Sequence, residues 1–482
     1  MKRGVKTWCM KWVGAMAGLT MAVTAHADSF DTVASLAAQK GWNVSAEAWL
    51  MDDHAPLAQL QPSAMMIPAS VSKLYVATAM LDHFGPRYRF ATQLLATGPI
   101  KDGVLQGDLI LDGSGDPALS TRDAWALVQS LQASGVRRVA GQLLVSEWRY
   151  SDEPCLTVDR CRARDSSKNA YDARLSAAGV DYGTWCVQIT PSQAGETARV
   201  SACEGMPLPP YEGQVATVPS TDKNRFTVQR ITRAGKDILQ LSGQLAQGTS
   251  EQRVYRASSS PAGQSLVTLQ QLLGQSGIRV TQGGRVTQAQ PPATAHAVAH
   301  VESMALQAEL MDMLAYSNNF MADSMTMALS PSFPASLDKG CGVIQQLVGT
   351  IPDHGPLVLR SGSGLTPENR TSAHGLVALL KAFYQKPALF PALIGSMNTP
   401  KTGTSYFIQQ ASEPFASNAV IKTGTLDSPV PVRAISGYFR TAQGRWGAFA
   451  VLLNGRTAQT ELNWSVALPA ITADVNKMIQ AH

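Results

Sequence analysis

Three places in the chain set a serine three residues ahead of a lysine: Ser70–Lys73, Ser220–Lys223 and Ser336–Lys339. A serine hydroxyl is a weak nucleophile until a base removes its proton. On a helix, residues three apart lie on one face, so the lysine can reach that hydroxyl. A lysine held among apolar groups has a lowered pKa and can serve as the base. Context separates the three. "VPSTDKNRF" is a polar turn, and "FPASLDKGC" is a short loop or helix start. Only Ser70–Lys73 opens a long apolar run, with Met65, Met66, Ile67, Leu74 and Val76 nearby. A helix start there also offers backbone N–H groups to an oxyanion. The plainer reading is a helix-capping serine beside a surface lysine, and this motif alone favours neither.

A second constellation is Ser317-Asn318-Asn319 in "YSNNF", where Ser317 and Asn319 interrupt an apolar helical segment. Buried polar side chains need partners. Here these are either helix ends or a lysine and a substrate amide. The third is Lys-Thr-Gly-Thr, present twice, at 401–404 and 422–425. A glycine inside a strand permits close backbone approach, and an edge strand can pair with an extended peptide. Lys422-Thr423-Gly424-Thr425 follows "AVI" and leads into two more strand-like runs. Lys401-Thr402-Gly403-Thr404 follows Pro400 among turn residues, with no partner strand after it. The second copy is therefore the candidate, and the first reads as a turn.

The elements that must position these residues follow from the hydrophobic pattern. "FDTVASLAAQK" at 30–40 reads as an amphipathic helix, and "NVSAEAWLMD" with "PLAQLQP" as a hairpin. Residues 69–85 read as a buried helix with a glycine stop. From about 89 the chain changes to short strands with frequent turns, and 178–245 is polar and turn-rich. "PAGQSLVTLQQLLGQSGIRV" predicts a helix leading into a strand, and "QAQPPATAHAVAH" a Pro/Ala connector. "SMALQAELMDMLAYSNNFMADSMTMAL" is helical, with Met and Leu at packing rather than binding positions. "NAVIKTGTL", "VRAISGYFRT" and "RWGAFAVLLNG" predict three strands, and "SVALPAITADVNKMIQAH" a closing helix. Two α/β-like ends thus flank a strand-rich middle, which fits an interrupted domain with an insertion.

Composition narrows the setting. Residues 1–27 have a basic start, an apolar run too short to span a bilayer, and a small-x-small site before Asp28, the layout of a secretory signal peptide. Cleavage between Ala27 and Asp28 and a periplasmic or secreted mature protein without a transmembrane anchor are expected. Lys2, Arg3, Lys6 and Lys11 depart with the leader, leaving 36 basic against 35 acidic residues, so nothing suggests nucleic-acid binding. In an oxidising compartment, local disulfides Cys155–Cys161 and Cys186–Cys203 are expected, the latter across a hairpin, with Cys341 as a buried thiol outside both. No spacing suggests a zinc site; His296 and His300 follow Pro291 and Pro292 in what reads as a linker. No metal and no cofactor are expected.

Ser-x-x-Lys, Ser-x-Asn and Lys-Thr-Gly in this order resemble the motif set of the penicillin-recognising serine enzymes. With "GDLILDGSGDPAL", "SGSGLTPENRTS" and "VIKTGTLDSPVPVRAISGYF", the chain resembles the class C low-molecular-weight penicillin-binding proteins, D-alanyl-D-alanine carboxypeptidase/endopeptidases of peptidase family S13. The resemblance covers essentially the whole mature chain.

It implies an α/β penicillin-binding (serine β-lactamase-like) domain interrupted by two nested, mainly β domains. The corresponding boundaries are 1–27 leader, 28–88 and 300–482 penicillin-binding domain, 89–177 and 246–299 second domain, and 178–245 third domain. It implies Ser70 as acylated nucleophile, Lys73 as its base, Ser317 as proton relay and Asn319 as ligand of the substrate amide. Lys422, Thr423, Gly424 and Thr425 would bind the substrate carboxylate end, with the N–H groups of Ser70 and Thr425 as oxyanion hole. Peptidoglycan peptides are the implied substrates and β-lactams the implied inhibitors. Where the family more usually reads Asp-Gly-Ser-Gly-Leu-Ser-Arg, this chain has Ser361-Gly362-Ser363-Gly364-Leu365-Thr366-Pro367. That departure bears on specificity at the third peptide residue. The first Lys-Thr-Gly-Thr matches a family Gly-Thr turn. The alternatives are a serine β-lactamase or esterase of the same superfamily, and a non-catalytic cell-wall scaffold.

Overall fold

The computed structural model describes Met1, residues 28–151 and residues 157–482. All of the expected leader except Met1 therefore lies outside the described residues. The protein is a mixed α/β molecule. Its main sheet is antiparallel throughout, in the order Ala58–Leu60, Trp42–Leu50, Trp446–Gly455, Val432–Arg440, Ala419–Leu426. The two ends of the chain meet in it: Trp42 pairs with Gly455 and Leu50 with Gly447. The strand carrying the second Lys-Thr-Gly-Thr is the sheet's edge.

Alternation along the strands gives the sheet two buried faces. Ile435, Phe439, Phe449, Val451 and Leu453 join a core with Val33, Leu468 and Ile471 of the two terminal helices, Asp31–Lys40 and Trp464–Ala481. Ala434, Tyr438, Ala448, Ala450 and Leu452 face the opposite way. There they pack with Leu74 and Met80 of helix Lys73–Phe84, Leu310, Met325 and Leu380. Of the methionines predicted as packing, Met313, Met321, Met325 and Met327 are buried, whereas Met304 and Met311 are exposed.

Between these ends the chain builds other sheets. One has the order Gly284–Thr287, Leu143–Ser146, Leu109–Asp112, Ala91–Ala96, His296–Glu302, backed by helices Thr121–Ala133 and Pro261–Gln275. Two more use strands from Ser166 to Ala257. The expected Pro/Ala connector is only partly one. Its second half, from His296, is a strand antiparallel to Ala91–Ala96. Two prolines and five alanines hid a short edge strand whose burial is slight outside Ala299.

Cys186 and Cys203 are disulfide-bonded across the hairpin Thr184–Thr190/Arg199–Ala202, with Cα atoms 5.6 Å apart. Cys161 is also disulfide-bonded; Cys155, its expected partner, lies outside the described residues. Cys341 is a buried thiol. Among the described residues, no helix is long and apolar enough to cross a membrane.

Candidate active site

Ser70 sits in a short 3-10 turn, Ala69–Ser72, and the α-helix proper begins at Lys73. The serine is thus one turn earlier than a helix-opening residue, still with Lys73 three residues on. Ala69 has φ +49°, a left-handed conformation that L residues adopt only under constraint. The constraint is visible. A Cβ on Gly364 would lie 1.9 Å from the Ala69 carbonyl oxygen, and one on Gly424 would lie 2.7 Å from that of Pro68 and 3.0 Å from Ser70 N. Two glycines let a loop and the edge strand close on the turn from different directions.

Lys73 is fully buried. Its Nζ lies 3.0 Å from Ser70 Oγ, 2.8 Å from Asn319 Oδ1 and 2.7 Å from the Ser363 carbonyl oxygen. Two of these partners can only accept, whereas the Ser70 hydroxyl can also donate. A neutral amine has two N–H bonds and one lone pair. It fills this site completely by donating to Asn319 and Ser363 and accepting from Ser70. The electrostatics favour that form: burial, then the Lys422 charge, hold the Lys73 pKa well below its usual value, with Asp323 opposing.

Lys422, on the edge strand, is also buried, and burial lowers its pKa to about 7. It donates to Ser317 Oγ at 2.9 Å and to the Thr423 carbonyl at 2.8 Å. Ser317 has φ +53° and occupies the break between helices Leu306–Ala315 and Asn319–Ala328. Asn318 caps the second helix by accepting from Met321 N. The break turns Ser317 toward one lysine and Asn319 toward the other. Thr425 is exposed and accepts from Trp464 Nε1 at 2.8 Å.

The five polar side chains of the three motifs therefore form one cluster drawn from three distant parts of the chain. The model of the D-Ala-D-Ala carboxypeptidase 3 (S13) family matches residues 32–475. This chain belongs to that family. It is 28% identical over 435 residues to a D-alanyl-D-alanine carboxypeptidase of Actinomadura sp. (strain R39), covering 82% of this chain and 75% of that one. It superposes on penicillin-binding protein 4 of Haemophilus influenzae with a TM-score of 0.76 at 22% identity, over 93% and 99% of the two chains. That protein has also been solved with a β-lactam bound. A predatory peptidoglycan endopeptidase of Bdellovibrio bacteriovorus matches with a TM-score of 0.50 at 15% identity, over 91% and 92%.

Around the motifs, this S13 chain carries a supporting layer that the sequence reading missed. Asp323, fully buried, accepts from Ser363 N at 2.9 Å and Ser361 Oγ at 2.8 Å, and pairs with Arg160 Nη1 at 2.8 Å. Asp323 thereby fixes the Ser361–Gly364 loop whose carbonyl receives Lys73. One signal was available: Asp323 stands four residues after Asn319 in an apolar helix, hence on the same face. Arg160 comes from the short helix Val158–Arg162, and nothing in "VDRCRAR" marks it. Asn369 Nδ2 joins the Ser361 carbonyl to Ser72 Oγ.

The first Lys-Thr-Gly-Thr is a turn, as expected, and it has a task. Thr404 Oγ1 donates to the Ala315 carbonyl at 2.6 Å, capping the helix that ends before Ser317. Lys401 makes an exposed ion pair with Glu413. Ser336 caps helix Leu337–Val348, and Ser220–Lys223 lies in an exposed turn.

Proposed function

We propose that this S13 protein is a serine D-alanyl-D-alanine carboxypeptidase, with endopeptidase action on cross-links, that hydrolyses peptidoglycan peptides through an acyl-enzyme on Ser70. The observation that carries the reading is the Lys73 amine, buried, with two acceptors and one hydroxyl around it. This arrangement suits a base poised on one serine; a surface lysine or an inert scaffold has no need of it.

In this reading Ser70 Oγ attacks the carbonyl carbon of the penultimate D-Ala, and its proton passes to Lys73 Nζ. The oxyanion is met by the N–H groups of Ser70 and Thr425, aided by the close approach that Gly424 permits. The C–N bond breaks, and the leaving amine takes a proton delivered through Ser317. Water then cleaves the ester and regenerates Ser70. Asn319 binds the substrate amide. Lys422, Thr423 and Thr425 hold the terminal carboxylate, which restores a charge partner to a buried ammonium. A β-lactam would acylate the same oxygen and leave slowly.

The expected leader places this chemistry outside the cytoplasm, where its polymer lies. We further propose the nested division given above, with residues 28–88 and 300–482 carrying the motifs.

The test is mass spectrometry of the penicillin-treated protein followed by peptide mapping. A single adduct on Ser70, absent in Ser70→Ala together with all peptide hydrolysis, is expected. An adduct elsewhere, or residual burst-phase acylation in a folded Ser70→Ala variant, overturns the assignment.

A further inference from the structure

A groove of about 630 Å³ lies away from Ser70, between helices Thr121–Ala133 and Pro261–Gln275 and the segment that follows Cys203. That size falls within the range of small-ligand sites, roughly 300–1,000 Å³. Trp125 stands in its wall 52% exposed, among the large apolar side chains that remain open to solvent. Arg122 flanks it on the same helix. Gln271 and Gln275, four apart, present one face of the other helix. Among the described residues, no hydrogen bond or ion pair uses the side chains of Arg122, Trp125, Gln271 or Gln275. Glu204, on the rim, is answered by Arg253 at 3.1 Å.

The platform is held in place from beneath. Ser120 and Asp123 form a reciprocal cap at the start of the Trp125 helix, and Thr121 is bound through both N–H and hydroxyl to Asp181. The Cys186–Cys203 bridge pins the segment forming the opposite wall. An exposed indole on a helix anchored at its start, beside unused planar donors and acceptors, offers a surface suited to recognition.

We propose that this groove binds the glycan strand of peptidoglycan, as a β-linked N-acetylhexosamine saccharide. The chemistry of the walls selects it. The C–H face of a pyranose ring stacks on an indole. Hydroxyl and acetamido groups need donors and acceptors side by side, which two glutamine amides and a guanidinium supply. One unpaired cation is too few for a polyanion, and a groove this open, with two amides and a guanidinium set along a mostly apolar surface, does not suit a lipid chain. The choice of polymer rests on the peptidoglycan reading of the active site. The groove would hold the strand while its peptides reach Ser70.

The probe is peptide-free tetra-N-acetylchitotetraose, titrated calorimetrically into the mature chain. Saturable binding is expected, weakened at least tenfold in Trp125→Ala and in Gln275→Ala. Both variants should keep wild-type kcat/KM on a short D-Ala-D-Ala peptide and sediment less with purified sacculi. No binding at millimolar saccharide, or equal binding by both folded variants, overturns the proposal. So does a sugar-free stem peptide that binds in a Trp125-dependent way, because the groove would then be a peptide site. Penicillin labelling of Ser70 is a separate readout, so failure of the groove and failure of the active-site reading are distinguishable.

Discussion

Lys422 and Lys401 head the same tetrapeptide and differ in almost everything that decides chemistry. Lys422 is 2% exposed with its pKa lowered to about 7 by burial; Lys401 sits in a turn, paired with an exposed glutamate. A charge-assisted hydrogen bond contributes about 1.5–3 kcal/mol, and ~1.4 kcal/mol is tenfold in rate. Lys422→Ala should therefore lower kcat/KM on a carboxylate-terminated peptide at least tens-fold, with a smaller loss for the C-terminally amidated peptide. Lys401→Ala should stay within ~0.5 kcal/mol of wild type. The pH dependence follows from the same burial. Below about 7 Lys422 carries a charge, which in the proposed role meets the substrate carboxylate, and above it that charge is lost. Since kcat/KM reports groups of the unliganded enzyme, it should fall above pH 7 for the carboxylate peptide but not for the amidated one. Parallel profiles for the two peptides would remove Lys422 from the carboxylate role.

At the scale of elements, the Ser361–Gly364 loop, helix Asn319–Ala328 and helix Val158–Arg162 act on Lys73 through Asp323. Asp323 raises the Lys73 pKa and Arg160 lowers it, both after burial and Lys422. Opposite shifts follow. Asp323→Asn should move the acid limb of kcat/KM to lower pH, and Arg160→Met should move it to higher pH. Each variant leaves a buried charge unpaired, destabilising by about 3–5 kcal/mol, so the profiles are to be taken well below the melting temperature. A pair that merely holds the fold would lower the rate without separating the two limbs.

The elements also show what the sequence could convey. The helix at 73–84 and the edge strand at 419–426 were legible because apolar periodicity is local; Ser317 and Asn319 stood out as polar in what read as one helical segment, but the break between two helices there did not show. Arg160 was not legible, because its role exists only through a partner 163 residues away. The strand at 296–302 was missed because Val298 and Val301 are its only β-branched residues, set among alanines and histidines just after two prolines.

Across the whole molecule, the strand-like runs near the C-terminus told where strands lie but not which strand lies beside which. The pairing of Trp42–Leu50 with Trp446–Gly455 could not be read from either segment. The hairpin bridged by Cys186 and Cys203 was readable because its partners are near in sequence, and it permits a test of how independent the active site is. The bridge spans 17 residues, for which loop closure predicts stabilisation of about 3 kcal/mol. Among the described residues, no hydrogen-bond partner of Lys73 or Lys422 comes from this hairpin. The double variant Cys186→Ala/Cys203→Ala should therefore unfold at lower denaturant concentration, while kcat/KM on a short D-Ala-D-Ala peptide stays within ~0.5 kcal/mol of wild type. Non-reducing peptide mapping of the parent should recover this bridge together with Cys155–Cys161, and leave Cys341 alkylatable only after unfolding. Loss of turnover in a folded double variant would mean that the sheets between Ser166 and Ala257 steer the Lys73 and Lys422 cluster by a route other than Arg160. Recovery of Cys341 in a bridge would refute the pairing itself.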